Sequence, residues 1–114
     1  MIVDFKRASN IYLIQGTHHF KRHFDSLVAM VEYEYKMKLD EDSVFLVCGS
    51  DNSEFCAFYF DGEGIVSIVK RFDQGSLFWP RSSQGIIKIT EQQLDLLLSG
   101  YPIEPKVKPS PRKA

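Results

Sequence analysis

At 114 residues, 44% of them hydrophobic and 25% charged, the chain has the composition of one ordinary globular domain, with enough apolar area to build a modest core without staples. The formal charge of −1 is unevenly spread: Lys106, Lys108, Arg112 and Lys113 fall in the last nine residues with no acid, leaving 10 basic against 15 acidic side chains, or −5, over residues 1–105. A mildly acidic body excludes a protein that wraps duplex DNA with its whole surface and confines any nucleic-acid contact to a patch or to the tail.

No stretch approaches a membrane span, and MIVDFKRASN has neither a long apolar run nor a small-residue cleavage site, so a cytoplasmic location is expected. Ile11–Gln15 is a short apolar run ended by Gly16 and reads as a first strand. Thr17 stands where an N-cap belongs, and Phe20, Phe24, Leu27, Val28, Val31 and Tyr35 recur at steps of three and four. That spacing predicts a helix from His18 to Met37 with one apolar face. Its first turn, His18-His19-Phe20-Lys21-Arg22-His23, is a basic cluster at the positive end of the helix dipole, where free N–H groups with Lys21 and Arg22 would suit a phosphate. Lys21 can equally pair with Asp25 one turn on.

Val44–Cys48 restarts strand after a polar connection. Phe55–Phe60 is apolar at every position, as a central strand covered on both faces would be, and Ile65–Phe72 is rich in β-branched residues. Asp61-Gly62-Glu63-Gly64 supplies a tight hairpin turn between the last two, completing an antiparallel meander. Cys48 and Cys56 flank the turn Ser50–Ser53, where facing strands would let the thiols approach; reduced thiols packed as small apolar groups are the plainer reading in a cytosolic protein. A second reversal at Asp73-Gln74-Gly75 leads to a short strand Leu77-Phe78-Trp79, stopped by Pro80. Ile86–Ile89 is another short strand. Thr90 caps a last helix, Glu91–Ser99, whose Leu94, Leu97 and Leu98 pack inward. Proline-broken, basic Lys106–Ala114 reads as a flexible tail. The expected fold is a single α+β domain over residues 1–105: a small antiparallel sheet packed against one long N-terminal helix, with a short C-terminal helix.

Candidate sites are few. Lys70 and Arg71 are neighbours in a strand and point to opposite faces. With Arg81 and the Trp79 ring one of them could form a basic aromatic patch that stacks a base or holds a backbone phosphate, though Trp79 is equally a core residue. His19 and His23 have the i, i+4 spacing of a metal pair but no intervening Glu and no third ligand, so no metal is expected. Asp61 and Glu63 are explained by turn chemistry. No nucleophile elbow, phosphate-cradling loop or acidic trio is present, and we expect no catalytic residues, no cofactor and no small-molecule substrate.

The order Phe60-Asp61-Gly62-Glu63-Gly64, then Lys70-Arg71, then Gly75-Ser76-Leu77-Phe78-Trp79-Pro80 resembles the signature of the small Orf2-like accessory proteins, often called TnpB, of IS66-type bacterial insertion sequences. Phe20–Leu27 is similar to that family's helix start and Thr90–Gly100 to its ending, so the likeness runs from about Asn10 to Tyr101. It implies a non-catalytic role in transposition beside a separately encoded transposase of the acidic-triad type. Two modes follow. In the first the protein binds DNA at the element ends through Lys21, Arg22, Lys70, Arg71 and Arg81, helped by the tail. In the second it is an adaptor that docks on the transposase through Phe78 and Trp79. Many relatives carry a basic turn before the aromatic strand, whereas Ser50-Asp51-Asn52-Ser53-Glu54 here is net acidic, which moves weight toward the adaptor.

Overall fold

The computed structural model describes residues 4–81 and 83–103. Five strands form one sheet: β1 (Asn10–Ile14), β2 (Ser43–Cys48), β3 (Glu54–Phe60), β4 (Ile65–Arg71) and β5 (Ile86–Ile89), in the spatial order β4-β3-β2-β1-β5. β2, β3 and β4 run antiparallel in sequence, joined by the Ser50–Ser53 turn and the Asp61–Gly64 hairpin. β1 lies parallel to β2, with Ile11 opposite Val44, and antiparallel to β5, with Leu13 opposite Ile87.

The expected small antiparallel sheet under one long N-terminal helix is therefore corrected in two respects. First, the sheet is mixed, because the chain between β1 and β2 crosses one face and returns to start β2 in the same direction, as a parallel pair requires. Second, the helix is short. An α-helical stretch, α1 (Phe24–Ala29), runs on through a wider π-helical turn, Met30–Glu34, eleven residues from Phe24 to Glu34. Residues 17–22 are not helical because the end of β2 holds them: the His18 amide donates to the Cys48 carbonyl at 3.1 Å, and Phe20 is buried against Gly49, where an added Cβ would lie 3.4 Å from its ring. Thr17 caps nothing; its hydroxyl accepts from Arg81. At the other end Lys36 takes a left-handed φ of 54°, which stops the helix before Met37.

Leu77–Trp79, expected as a strand, pairs with none. Leu77 and Trp79 are buried against the sheet, and the Leu77 amide donates to the Asn52 carbonyl at 2.8 Å. α2 (Glu91–Leu98) begins at Thr90 as its spacing predicts, in a capping box: Thr90 Oγ1 accepts from the Gln93 amide, and Gln93 Oε1 accepts from the Thr90 amide. The tail expected at Lys106–Ala114 lies outside the described residues.

Strand alternation divides the core in two. On one face Ile11, Leu13, Val44, Leu46, Phe55 and Ala57 meet Phe5, Leu77, Trp79, Leu94, Leu97 and Ile103. On the other Ile14, Phe45, Val47, Cys56 and Phe58 meet Phe20, Leu27, Val28, Val31 and Leu39. β2 is buried at all six positions, as a strand sandwiched between two layers must be. The cover is incomplete at β4. Its residues alternate between exposed and half-buried, and Ile65 and Val69, on the face that α1 covers elsewhere, are 45% and 47% exposed.

Candidate interaction surface

The surface of interest is built where the β2–β3 turn meets the segment entering α1 and the far end of β4. Register places Glu54 opposite Arg71. The Glu54 carboxylate accepts from Arg71 Nε at 3.3 Å and from Lys21 Nζ at 2.8 Å, its side chain only 13% exposed while both cations stay mostly in water. The hydrogen bond from Lys21, with help from Arg71, holds the Glu54 carboxyl below the usual range despite some desolvation. Beside it Asp51 accepts from the Ser53 amide at 2.9 Å, which also lowers its pKa. These acids share a shallow depression of about 210 Å³ with His18, His19, Phe20, Lys21, Arg22, Gly49 and Ser50. Its rim carries cations and carboxylates together, an arrangement unlike an anion cradle.

Of the five basic residues expected to contact DNA, Lys21, Arg22, Arg71 and Arg81 gather around the β2–β3 turn, and Lys70 lies apart. Lys21 and Arg71 share one carboxylate. Arg22 is exposed in the turn before α1, outside the helix, so no helix N-terminus backs the basic cluster. Lys70 lies on the opposite face from Arg71, as alternation requires, with its ammonium 4.8 Å from the Phe72 ring centre. Arg81 points inward. Its guanidinium donates to the Gly49 carbonyl at 2.8 Å, to Cys48 Sγ at 3.5 Å, and to Thr17 Oγ1 and Asn52 Oδ1, fastening the β2–β3 turn to the segment entering α1. This is the bidentate, planar use of arginine that a lysine cannot copy.

The two aromatic residues expected to dock a partner are also separated. Trp79 is 6% exposed, stacks on Phe55 with ring centres 6.3 Å apart, and donates its indole N–H to the Ile14 carbonyl at 2.9 Å. Phe78 is 59% exposed. Sequence reasoning missed Glu54 as the shared partner of two cations, although the net-acidic turn was a usable signal. It also missed Thr17 and Asn52 as acceptors for Arg81, 64 and 29 residues away, for which no local pattern exists.

The cysteines do not meet. Cys48 faces Phe55 in register and Cys56 faces Val47, so the thiols belong to opposite faces of the sheet. Burial raises both pKa values, Cys56 to about 11, while Arg81 partly offsets the effect at Cys48. Asp61 accepts from the Glu63 and Gly64 amides at 2.9 Å, the turn role expected of it. Among the described residues no group of three or more His, Cys, Asp or Glu is placed to hold a metal, and no helix is long and apolar enough to cross a membrane.

A five-stranded mixed sheet with a core on each face, tied by turn hydrogen bonds, a shared ion pair and an internal arginine clip, defines a small domain of mixed α and β structure. The family model described as IS66 Orf2 like protein matches residues 9–108, and the chain belongs to that family, the accessory proteins of IS66 transposition. It is also 30% identical over 90 residues to the uncharacterized protein y4hO of Sinorhizobium fredii, covering 79% of this chain and 78% of that one. No solved structure matches.

Proposed function

We propose that the protein is a cytoplasmic, non-catalytic adaptor that docks on the separately encoded transposase through exposed apolar surface at Phe78, without reading DNA. The observation that carries this reading is the engagement of the cations within the protein: Lys21 and Arg71 pair with Glu54, Arg81 donates to Gly49 and Asn52, and Lys70 lies on the other face. A DNA patch needs several cations spaced along one surface to release counterions together. Phe78, by contrast, is a large ring left in water beside a buried tryptophan, the kind of anchor that a protein interface desolvates. The exposed side chains of His19, Lys21, Arg22 and His23 support a second reading, in which Lys21 and Arg22 contact the element ends.

The two readings separate in one set of titrations. Purified transposase and labelled terminal inverted-repeat DNA are each titrated with the wild type, with Phe78→Asp, and with the double variant Lys21→Ala/Arg22→Ala. The adaptor reading expects Phe78→Asp to abolish transposase binding and the double variant to leave it intact. Selective binding to the repeat at near-physiological salt, lost in the double variant, would replace it with the DNA reading.

A further inference from the structure

Among the described residues β4 is an edge strand: it pairs with β3 on one side, and its other side carries a row of backbone groups that the sheet does not use. Which residues these are follows from the ladder. The Asp61 amide donates to the Gly64 carbonyl at 3.0 Å, and the Phe72 amide to the Ser53 carbonyl at 2.8 Å. Antiparallel pairs alternate, so Gly64, Val66, Ile68, Lys70 and Phe72 turn their backbone groups toward β3, and Ile65, Ser67, Val69 and Arg71 turn theirs outward.

The outward residues are self-complementary. In an antiparallel pair centred on Ser67, Ser67 meets the partner's Ser67 and Ile65 the partner's Val69, while the exposed Arg71, paired with Glu54 in its own chain, comes level with the turn that carries the partner's Glu63. Opposite charges come level twice by symmetry, because β4 begins after an acidic hairpin (Asp61, Glu63) and ends in Lys70 and Arg71. A slip of two residues, or a parallel arrangement, takes Ile65 out of register with the partner's Val69. Ile65 and Val69 are exposed on the same face, and this register sets them side by side across the new strand pair. Lys70 then stands across from the partner's Gly64, where there is open space.

The other sheet edge contrasts with this one. β5 has four residues and carries an exposed lysine, Lys88, in its interior, which discourages pairing. β4 has seven, with Ile65, Val66, Ile68 and Val69 in its body and its charges at one end. We propose that a second copy of this chain adds to the β4 edge in this register, forming a two-fold dimer with one continuous ten-stranded sheet. The inference rests on the edge alone and stands whether or not the adaptor reading holds.

The test uses the full chain. Light scattering after size exclusion should give twice the monomer mass for the wild type, falling toward the monomer mass on dilution. Ser67→Pro removes the central outward N–H but none of the bonds to β3, so it should give a monomer with an unchanged circular dichroism spectrum. Ser67→Cys should form a covalent dimer on mild oxidation, since the facing Cα atoms of a hydrogen-bonded pair lie about 5.5 Å apart, within disulfide reach. Ile65→Cys should not, because its copies lie four residues apart along the strands, about 13 Å. Should Ser67→Pro fail to fold, the contrast between the two cysteine variants decides. A wild type that stays monomeric at high concentration, a dimer that survives in folded Ser67→Pro, or equal cross-linking through Ile65→Cys would each overturn the proposal.

Discussion

Replacing Arg81 by alanine removes a guanidinium that donates to the Gly49 carbonyl, the Asn52 side chain, Thr17 Oγ1 and Cys48 Sγ. A hydrogen bond from a charged donor contributes about 1.5–3 kcal/mol where no water can replace it. Arg81 is half-buried, so water takes over some of these acceptors. Counting two bonds as lost at the lower figure gives a destabilisation of roughly 3 kcal/mol. In a domain of this size that lowers Tm by on the order of 10 °C or more. Arg81→Lys keeps the charge but not the planar fork and should recover no more than one bond, leaving it closer to alanine than to the wild type. Urea unfolding of the three proteins measures the effect, and an unchanged m-value would show that stability alone has moved. The reasoning fails if Arg81→Ala unfolds at the wild-type midpoint while binding to inverted-repeat DNA falls, because the guanidinium would then be serving a partner.

Trp79→Phe retains most of the apolar bulk but strands the Ile14 carbonyl in the core, at a cost of about 1–3 kcal/mol. Trp79→Ala should cost about 3–5 kcal/mol, whereas Phe78→Ala should stay within about 0.5 kcal/mol; thermal melts of the three rank them. Glu54 has a depressed folded-state pKa, so its contribution is present above the unfolded value and disappears as pH falls through the folded one. The Tm of Glu54→Gln should therefore drop less steeply than that of the wild type as pH is taken from neutral to about 2, and parallel acid limbs would refute the assignment. Burial raises both thiols, so at about pH 8 neither Cys48 nor Cys56 should react with a disulfide reagent until the protein unfolds, and labelling faster than unfolding would contradict this.

The features legible in the sequence are those set by short-range chemistry. Thr90 announces its cap, Asp61 to Gly64 their hairpin, and the alternation of Lys70 and Arg71 their opposite faces. The overestimated helix shows the limit. Phe20 keeps the three-four spacing with Phe24, so periodicity joins it to the helix, yet its ring fills the space above Gly49 from a non-helical backbone. Pairing direction was hidden for a related reason: nothing within Ile11–Gln15 or Val44–Cys48 distinguishes parallel from antiparallel neighbours. Arg81 looked like a free cation because its acceptors come from two distant segments. An inward arginine is recognisable only once those segments are in place.

The position of β1 also sets an order of events. β3 and β4 can pair across short turns, so the β2–β3–β4 meander closes early and at small entropic cost. β1 is made before all of them, yet its two neighbours begin at Ser43 and Ile86. During synthesis it must wait for β5 with one edge unpaired, its apolar Ile11, Leu13 and Ile14 awaiting cover from residues that have not left the ribosome. Completion of the sheet is thus deferred to about the last quarter of the chain, and a ribosome stalled before Ile86 would hold an unfinished β1 edge open to any passing strand.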